Sequence, residues 1–224
     1  MIDFADARDP IFNRLKAIIS KDHALPTDLL KDAETVISYF LPFEKEIPLS
    51  NVGGDNSSRK WALAYVETNK LIVDLNKALS EMLKEFNFSS FILPPTHNFD
   101  REKLISDWSH KHVAYIAGLG NFGIHQMLIT ERGCCGRLGS LITNAKIKPT
   151  ERTNKEFCLY KHDRSCEKCV EKCTFGALKI DSFDRHKCHE VCLYNDRLYF
   201  DLDKTDVCGK CVCVVPCSFV NPLG

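Results

Sequence analysis

Residues 158–173 read CLYKHDRSCEKCVEKC and residues 208–217 read CGKCVCVVPC. The first run spaces Cys158, Cys166, Cys169 and Cys173 by seven, two and three intervening residues, and the second spaces Cys208, Cys211, Cys213 and Cys217 by two, one and three. A close CxxC pair lets two thiolates from one turn reach one metal group, while a cysteine a few residues further on points at a second group. Read this way, one set is Cys158, Cys166, Cys169 and Cys217. The other is Cys173, Cys208 and Cys211, joined by Cys188 or Cys192, which stand four apart in HKCHEVC and share a face if that stretch is helical. Two 4Fe-4S clusters need eight thiolates, and ten cysteines lie between 158 and 217. A zinc ribbon built on the two CxxC pairs is the plainer alternative, but zinc takes only four ligands and leaves six of these thiols without a role.

Outward from this segment the chain is ordinary. Of its 12 cysteines only Cys134 and Cys135 precede residue 158, so composition draws a boundary near 150–157 and divides 1–150 from 151–224. The 30 basic and 30 acidic residues balance overall, and the balance gives no support to a nucleic-acid partner. No apolar run approaches the roughly 18 to 20 residues of a membrane span. The first twenty residues open acidic, without an apolar export core. A cytoplasmic chain with reduced thiols is expected, and clustered reduced thiols bind metal.

The first 150 residues alternate helical and strand patterns. Ile11, Phe12, Leu15, Ile18 and Ile19 mark one helix face, TVISYFL at 35–41 marks a buried strand, and a long helical pattern fills about 59–86 with Trp61, Leu63, Leu71, Ile72 and Leu75. FILPP at 91–95 predicts a second strand. A helix near 100–114, a glycine-rich segment at 117–123, a short helix over HQMLIT holding a packed His125, and a third strand at LGSLIT follow. The expected fold is an α/β (α+β) sandwich around a mainly buried sheet, followed by a small ferredoxin-like iron-sulfur module.

YIAGLGNFG places Gly118, Gly120 and Gly123 in a formal GxGxxG pattern. A dinucleotide site would need a long helix and then a strand ending in an acid, whereas the next strand here ends at Thr143 and Asn144. The order AGLGNFG, LIT, a glycine-bearing turn, LGSLIT and two cysteine groups resembles the epoxyqueuosine reductase and reductive dehalogenase superfamily, over roughly residues 33–222. That resemblance implies a cobalamin next to two 4Fe-4S clusters that feed it electrons. It would place Gly118, Gly120, Gly123, Gly139 and Ser140 near the corrin, and it selects Cys188 as the ligand beside Cys173. Arg137, in the same turn as Cys134 and Cys135, could hold a cofactor carboxamide or an anionic substrate, with an ordinary surface arginine as the competing explanation.

The family's aspartate acid falls at Leu104 in this chain, with Asp100 and Asp107 on either side. Asp107 and His110 in DWSHKH are the candidate proton donors, because reductive cleavage needs a proton near the substrate. Ordinary helix-surface polarity is the competing explanation for both. Cys134 and Cys135 are loop thiols with a possible redox role. The expected function is reductive chemistry on a small molecule or modified nucleoside, with electrons from a ferredoxin or flavodoxin. An electron-transfer protein without chemistry of its own is the alternative.

Overall fold

Residues 1–224 are described by a computed structural model. The chain forms two compact units, each with its own core, and its path visits them in turn. The first comprises Met1–Phe40, Lys70–Gly120 and Leu138–Asn154, and the second Leu41–Asn69, Asn121–Arg137 and Lys155–Gly224.

In order, the elements are β1 (Ile2–Asp6), α1 (Pro10–Ile18), α2 (Pro26–Leu29), β2 (Thr35–Pro42), α3 (Glu46–Ser50), α4 (Arg59–Glu85), β3 (Ser90–Ile92), β4 (His97–Asp100), β5 (Ile105–Trp108), α5 (His110–Ala117), β6 (Gly120–Phe122), β7 (Leu128–Thr130) and β8 (Gly136–Thr143). The cysteine-rich end adds α6 (Leu159–Asp163), α7 (Lys168–Glu171), α8 (Arg185–Leu198) and a 3-10 turn at Lys210–Val212.

The sheet of the first unit runs β1-β2-β8-β3. Thr35 to Phe40 are buried without a break, so central β2 is covered on both faces as its β-branched and aromatic run predicts. Its pairing with β1 is antiparallel, from Ile2 opposite Tyr39 to Asp6 opposite Thr35, and β3 is antiparallel to β8. The fold is therefore mixed α/β with antiparallel pairing. α1 starts where the Asp9 carboxylate accepts the Ile11 N–H at 2.9 Å and Pro10 presets the first turn. It buries Phe12 and Leu15 against Val36, Trp108, Ile116 and Ile142, while Ile18 stays 60% exposed. α4 reaches the predicted length and buries Trp61 and Ile72, but Leu63 and Leu71 face solvent.

Two predicted helices are absent. The 100–114 stretch is a hairpin followed by a helix: β4 pairs with β5, and α5 begins only at His110. The Asp100 carboxylate accepts the N–H groups of Glu102 and Lys103, and Leu104 takes φ 54°, which turns the chain where a helix would have continued. In HQMLIT, Gln126 at φ 64° closes a tight turn and LIT becomes β7, paired with β6. β1 was not anticipated from the sequence.

Candidate metal centres

The core of the second unit contains thiols as well as hydrocarbons. Cys134, Cys135, Cys158, Cys169 and Cys213 are packed with Trp61, Ile129, Phe157, Leu178 and Val212. Short helices present the cysteines. Cys158 is the N-cap of α6, which stops at Arg164 with φ 66°, and Cys169 lies in α7. Cys188 and Cys192 share one face of α8, which is capped by the Asp184 carboxylate accepting the Lys187 N–H at 2.9 Å. Gly209, at φ 73°, brings the backbone against Trp61, where a Cβ would lie 2.3 Å from the indole.

These elements surround two separate cavities. One is lined by Cys158, Cys166, Cys169 and Cys217 together with His125 and Pro216. The other is lined by Cys173, Cys188, Cys208 and Cys211 together with His125 and Lys210. The two CxxC pairs thus face different cavities. Cys192 instead turns its thiol toward Cys188, and Cys213 accepts a hydrogen bond from Asn51 Nδ2 at 3.4 Å.

The chemistry of these donor sets suits bound metal. Burial pushes the Cys169 thiol up to about 12, with the neighbouring Cys217, Cys158 and Cys166 adding to the shift. Burial and then the facing Cys208, Cys188 and Cys173 push Cys211 well above the ordinary thiol range. Cys169 and Cys211 therefore resist deprotonation until a cation offsets the charge. Cys217 is held down to about 5, first by its hydrogen bond with Cys134 and also by His125, against the effect of burial. In the wall of the second cavity, the buried Lys210 ammonium donates to the carbonyls of Asn51 at 3.0 Å and Gly53 at 2.7 Å.

The residues that the resemblance assigns to a corrin are engaged in the chain's own packing. Gly118, at φ 93°, caps α5 by donating its N–H to Ala114 and Tyr115. Gly120 is a buried residue at the start of β6. A Cβ at Gly123 would lie 2.7 Å from the His125 ring, and one at Gly139 would lie 2.4 Å from the Tyr39 ring. Ser140 Oγ accepts from Trp108 Nε1 at 3.0 Å and pairs with His110 Nδ1 at 2.9 Å. The Arg137 guanidinium lies 4.4 Å from the centre of the Tyr65 ring and donates to Asn69 at 2.7 Å. The spaces on the Cβ side of Gly123 and Gly139 are filled by the rings of His125 and Tyr39.

His110 is saturated on both sides. Its Nε2 reaches the Pro94 carbonyl at 2.8 Å, which can only accept, so Nδ1 accepts the Ser140 hydroxyl. Asp107 sits at the end of the β4-β5 hairpin, with Oδ1 2.6 Å from His97 Nδ1 and Oδ2 accepting from Asn98 at 2.8 Å. Sequence reasoning missed His97, which becomes Asp107's partner only through the hairpin.

The fold is similar to that of solved reductases. No family profile matches the sequence, and no curated protein sequence does. Among solved structures, the chain is similar to an epoxyqueuosine reductase from Streptococcus thermophilus, with TM-score 0.59 and 19% identity over 100% of this chain and 62% of that one. It is similar to the Bacillus subtilis epoxyqueuosine reductase at TM-score 0.62 and 16% identity, over 97% and 61%. A catabolic reductive dehalogenase gives TM-score 0.67 and 14% identity over 99% of this chain and 30% of that one. At such identities the likeness is one of fold, and the chain spans about three fifths of the length of the epoxyqueuosine reductases it matches.

Proposed function

We propose that this protein is an iron-sulfur oxidoreductase whose second unit holds two 4Fe-4S clusters and moves electrons one at a time. Cys158, Cys166, Cys169 and Cys217 would hold the first cluster, and Cys173, Cys188, Cys208 and Cys211 the second. The observation that carries this reading is the division of eight cysteines, four and four, between two cavities, each mixing cysteines distant in sequence. When bound, such clusters supply one-electron chemistry at potentials between roughly −700 and +450 mV.

The chain's own part is to bind the clusters, hold them in apolar walls and shape their electrostatics. The Lys210 ammonium stands in the wall of the second cavity and opposes the negative charge of its thiolates. Where the acceptor takes up a proton, the Asp107 and His97 pair can hold one between Oδ1 and Nδ1, whereas the His110 hydrogen bonds to Pro94 and Ser140 keep that ring structural. A ferredoxin or flavodoxin is the fitting electron donor, and the reduced thiols suit a cytoplasmic setting. No helix is long and apolar enough to cross a membrane.

One structure similar to this chain is an epoxyqueuosine reductase with a tRNA-Tyr stem loop carrying epoxyqueuosine. A modified nucleoside is therefore one substrate class to test, although the balanced charge of this chain gives no support to a nucleic-acid partner. A second reading, an electron carrier that docks on a partner enzyme, is favoured by the internal filling of the glycine spaces.

Anaerobic purification with cobalamin supplied during expression, followed by metal analysis and a visible spectrum, tests these readings together. About eight irons per chain with broad visible absorption supports the two clusters. One cobalt in addition would restore the cobalamin-dependent reductase, no cobalt favours the carrier, and zinc alone would overturn both.

A further inference from the structure

Two side chains of the second unit with no place in either ligand set converge on one ligand sulfur. His125 lies in the turn between β6 and β7, with Nε2 3.4 Å from Cys217 Sγ. Its tautomer is set from the other side of the ring. The Met127 backbone N–H, which can only donate, lies 3.1 Å from Nδ1, so the hydrogen of the neutral imidazole is on Nε2 and is directed at Cys217. The ring is held there by Gly123, where a Cβ would stand 2.7 Å from Nε2 and 2.8 Å from Cε1. Cys134 approaches the same sulfur, with Sγ to Sγ 4.0 Å, and its backbone N–H donates to the Cys217 carbonyl at 2.9 Å, which fixes the register of the two segments.

We propose that His125 and Cys134 set the reduction potential of the cluster held by Cys217, by donating hydrogen bonds to that ligand sulfur. The inference rests on the two-cluster reading above. A reduced cluster carries one more negative charge than an oxidised one, and its sulfurs share that charge. A donor directed at one of those sulfurs therefore stabilises the reduced form more and raises the potential. His125 also lines the second cavity, but its one ring hydrogen is directed to Cys217, so the effect is confined to the first cluster.

The test is an anaerobic redox titration of the whole protein followed by electron paramagnetic resonance, with iron measured on every sample. His125→Phe keeps an aromatic ring and removes the donor. Iron should remain at the wild-type content while one cluster potential moves to more negative values and the other stays in place. His125→Gln, whose amide can still donate, should recover part of the shift, and Cys134→Ala should move the same potential in the same direction. Unchanged potentials in both His125→Phe and Cys134→Ala at full iron content would overturn the proposal, as would equal shifts of both clusters. Loss of iron in His125→Phe would also overturn it, by making the ring a ligand. A wild-type protein without iron is a different failure and would remove the two-cluster reading itself.

Discussion

Cys188 and Cys192 differ by one helical turn, yet only Cys188 lines the second cavity, and the hydrogen bond with Cys188, together with burial, pushes the Cys192 thiol up. Cys188→Ala and Cys211→Ala are each expected to lower the iron content, by about half if one cluster of two is lost, while Cys192→Ala retains it. Unchanged iron in Cys211→Ala would remove the second ligand set. His112 makes a different kind of prediction. Burial, helped by Lys111 and His23, lowers its folded-state pKa from 6.5 to about 4. The unfolded ring then binds a proton that the folded ring refuses, so stability is complete above pH 6.5 and falls as the pH drops toward 4, at up to about 1.4 kcal/mol per unit. Urea unfolding across that range is expected to show the decline, and His112→Gln to flatten it.

Among the elements, α4 and β8 depend on single polar and glycine positions. Asn76 of α4 donates to the carbonyls of Leu93 at 2.9 Å and Ser140 at 3.1 Å, and accepts from the Tyr39 hydroxyl at 3.0 Å. Asn76→Leu would strand these buried groups. An unsatisfied buried group costs about 1–3 kcal/mol, so chemical denaturation is expected to show a loss of about 2–5 kcal/mol. Gly139 on β8 meets the Tyr39 ring, and Gly139→Ala should cost about 1–3 kcal/mol through overpacking. Gly53→Ala, with nothing within 4 Å of its Cβ, is the control expected to leave stability near wild type. The elements that sequence reading missed are those governed by single dihedral angles. Leu104 and Gln126, both at positive φ, turn the chain inside stretches whose apolar spacing alone looks helical.

For the whole molecule, one core is built of hydrocarbon and the other mixes thiols with hydrocarbon, and they should respond differently to metal removal. Chelation of iron is expected to raise backbone hydrogen exchange in residues 155–217, while β2 and β8 of the first unit keep their protection. Equal loosening of both units would show that the metal does not support the second core selectively.

Much of the candidate site was legible before the fold was known, because cysteine spacing is a covalent property and a thiol is a metal-ligand type in any fold. The central strand was legible for a similar reason, since an unbroken β-branched and aromatic run can be satisfied only by burial on both faces. Neither kind of local information says that Asp107 meets His97, or that Tyr39 and His125 occupy the spaces beside Gly139 and Gly123. Those pairings join residues distant in the chain, or depend on how a turn closes, and a one-dimensional pattern carries no term for either. The sequence by its own chemistry determines which ligand types are on offer and how they are spaced. Only the tertiary structure decides which side chains distant in the chain meet, because contact distance is a property of the packed chain.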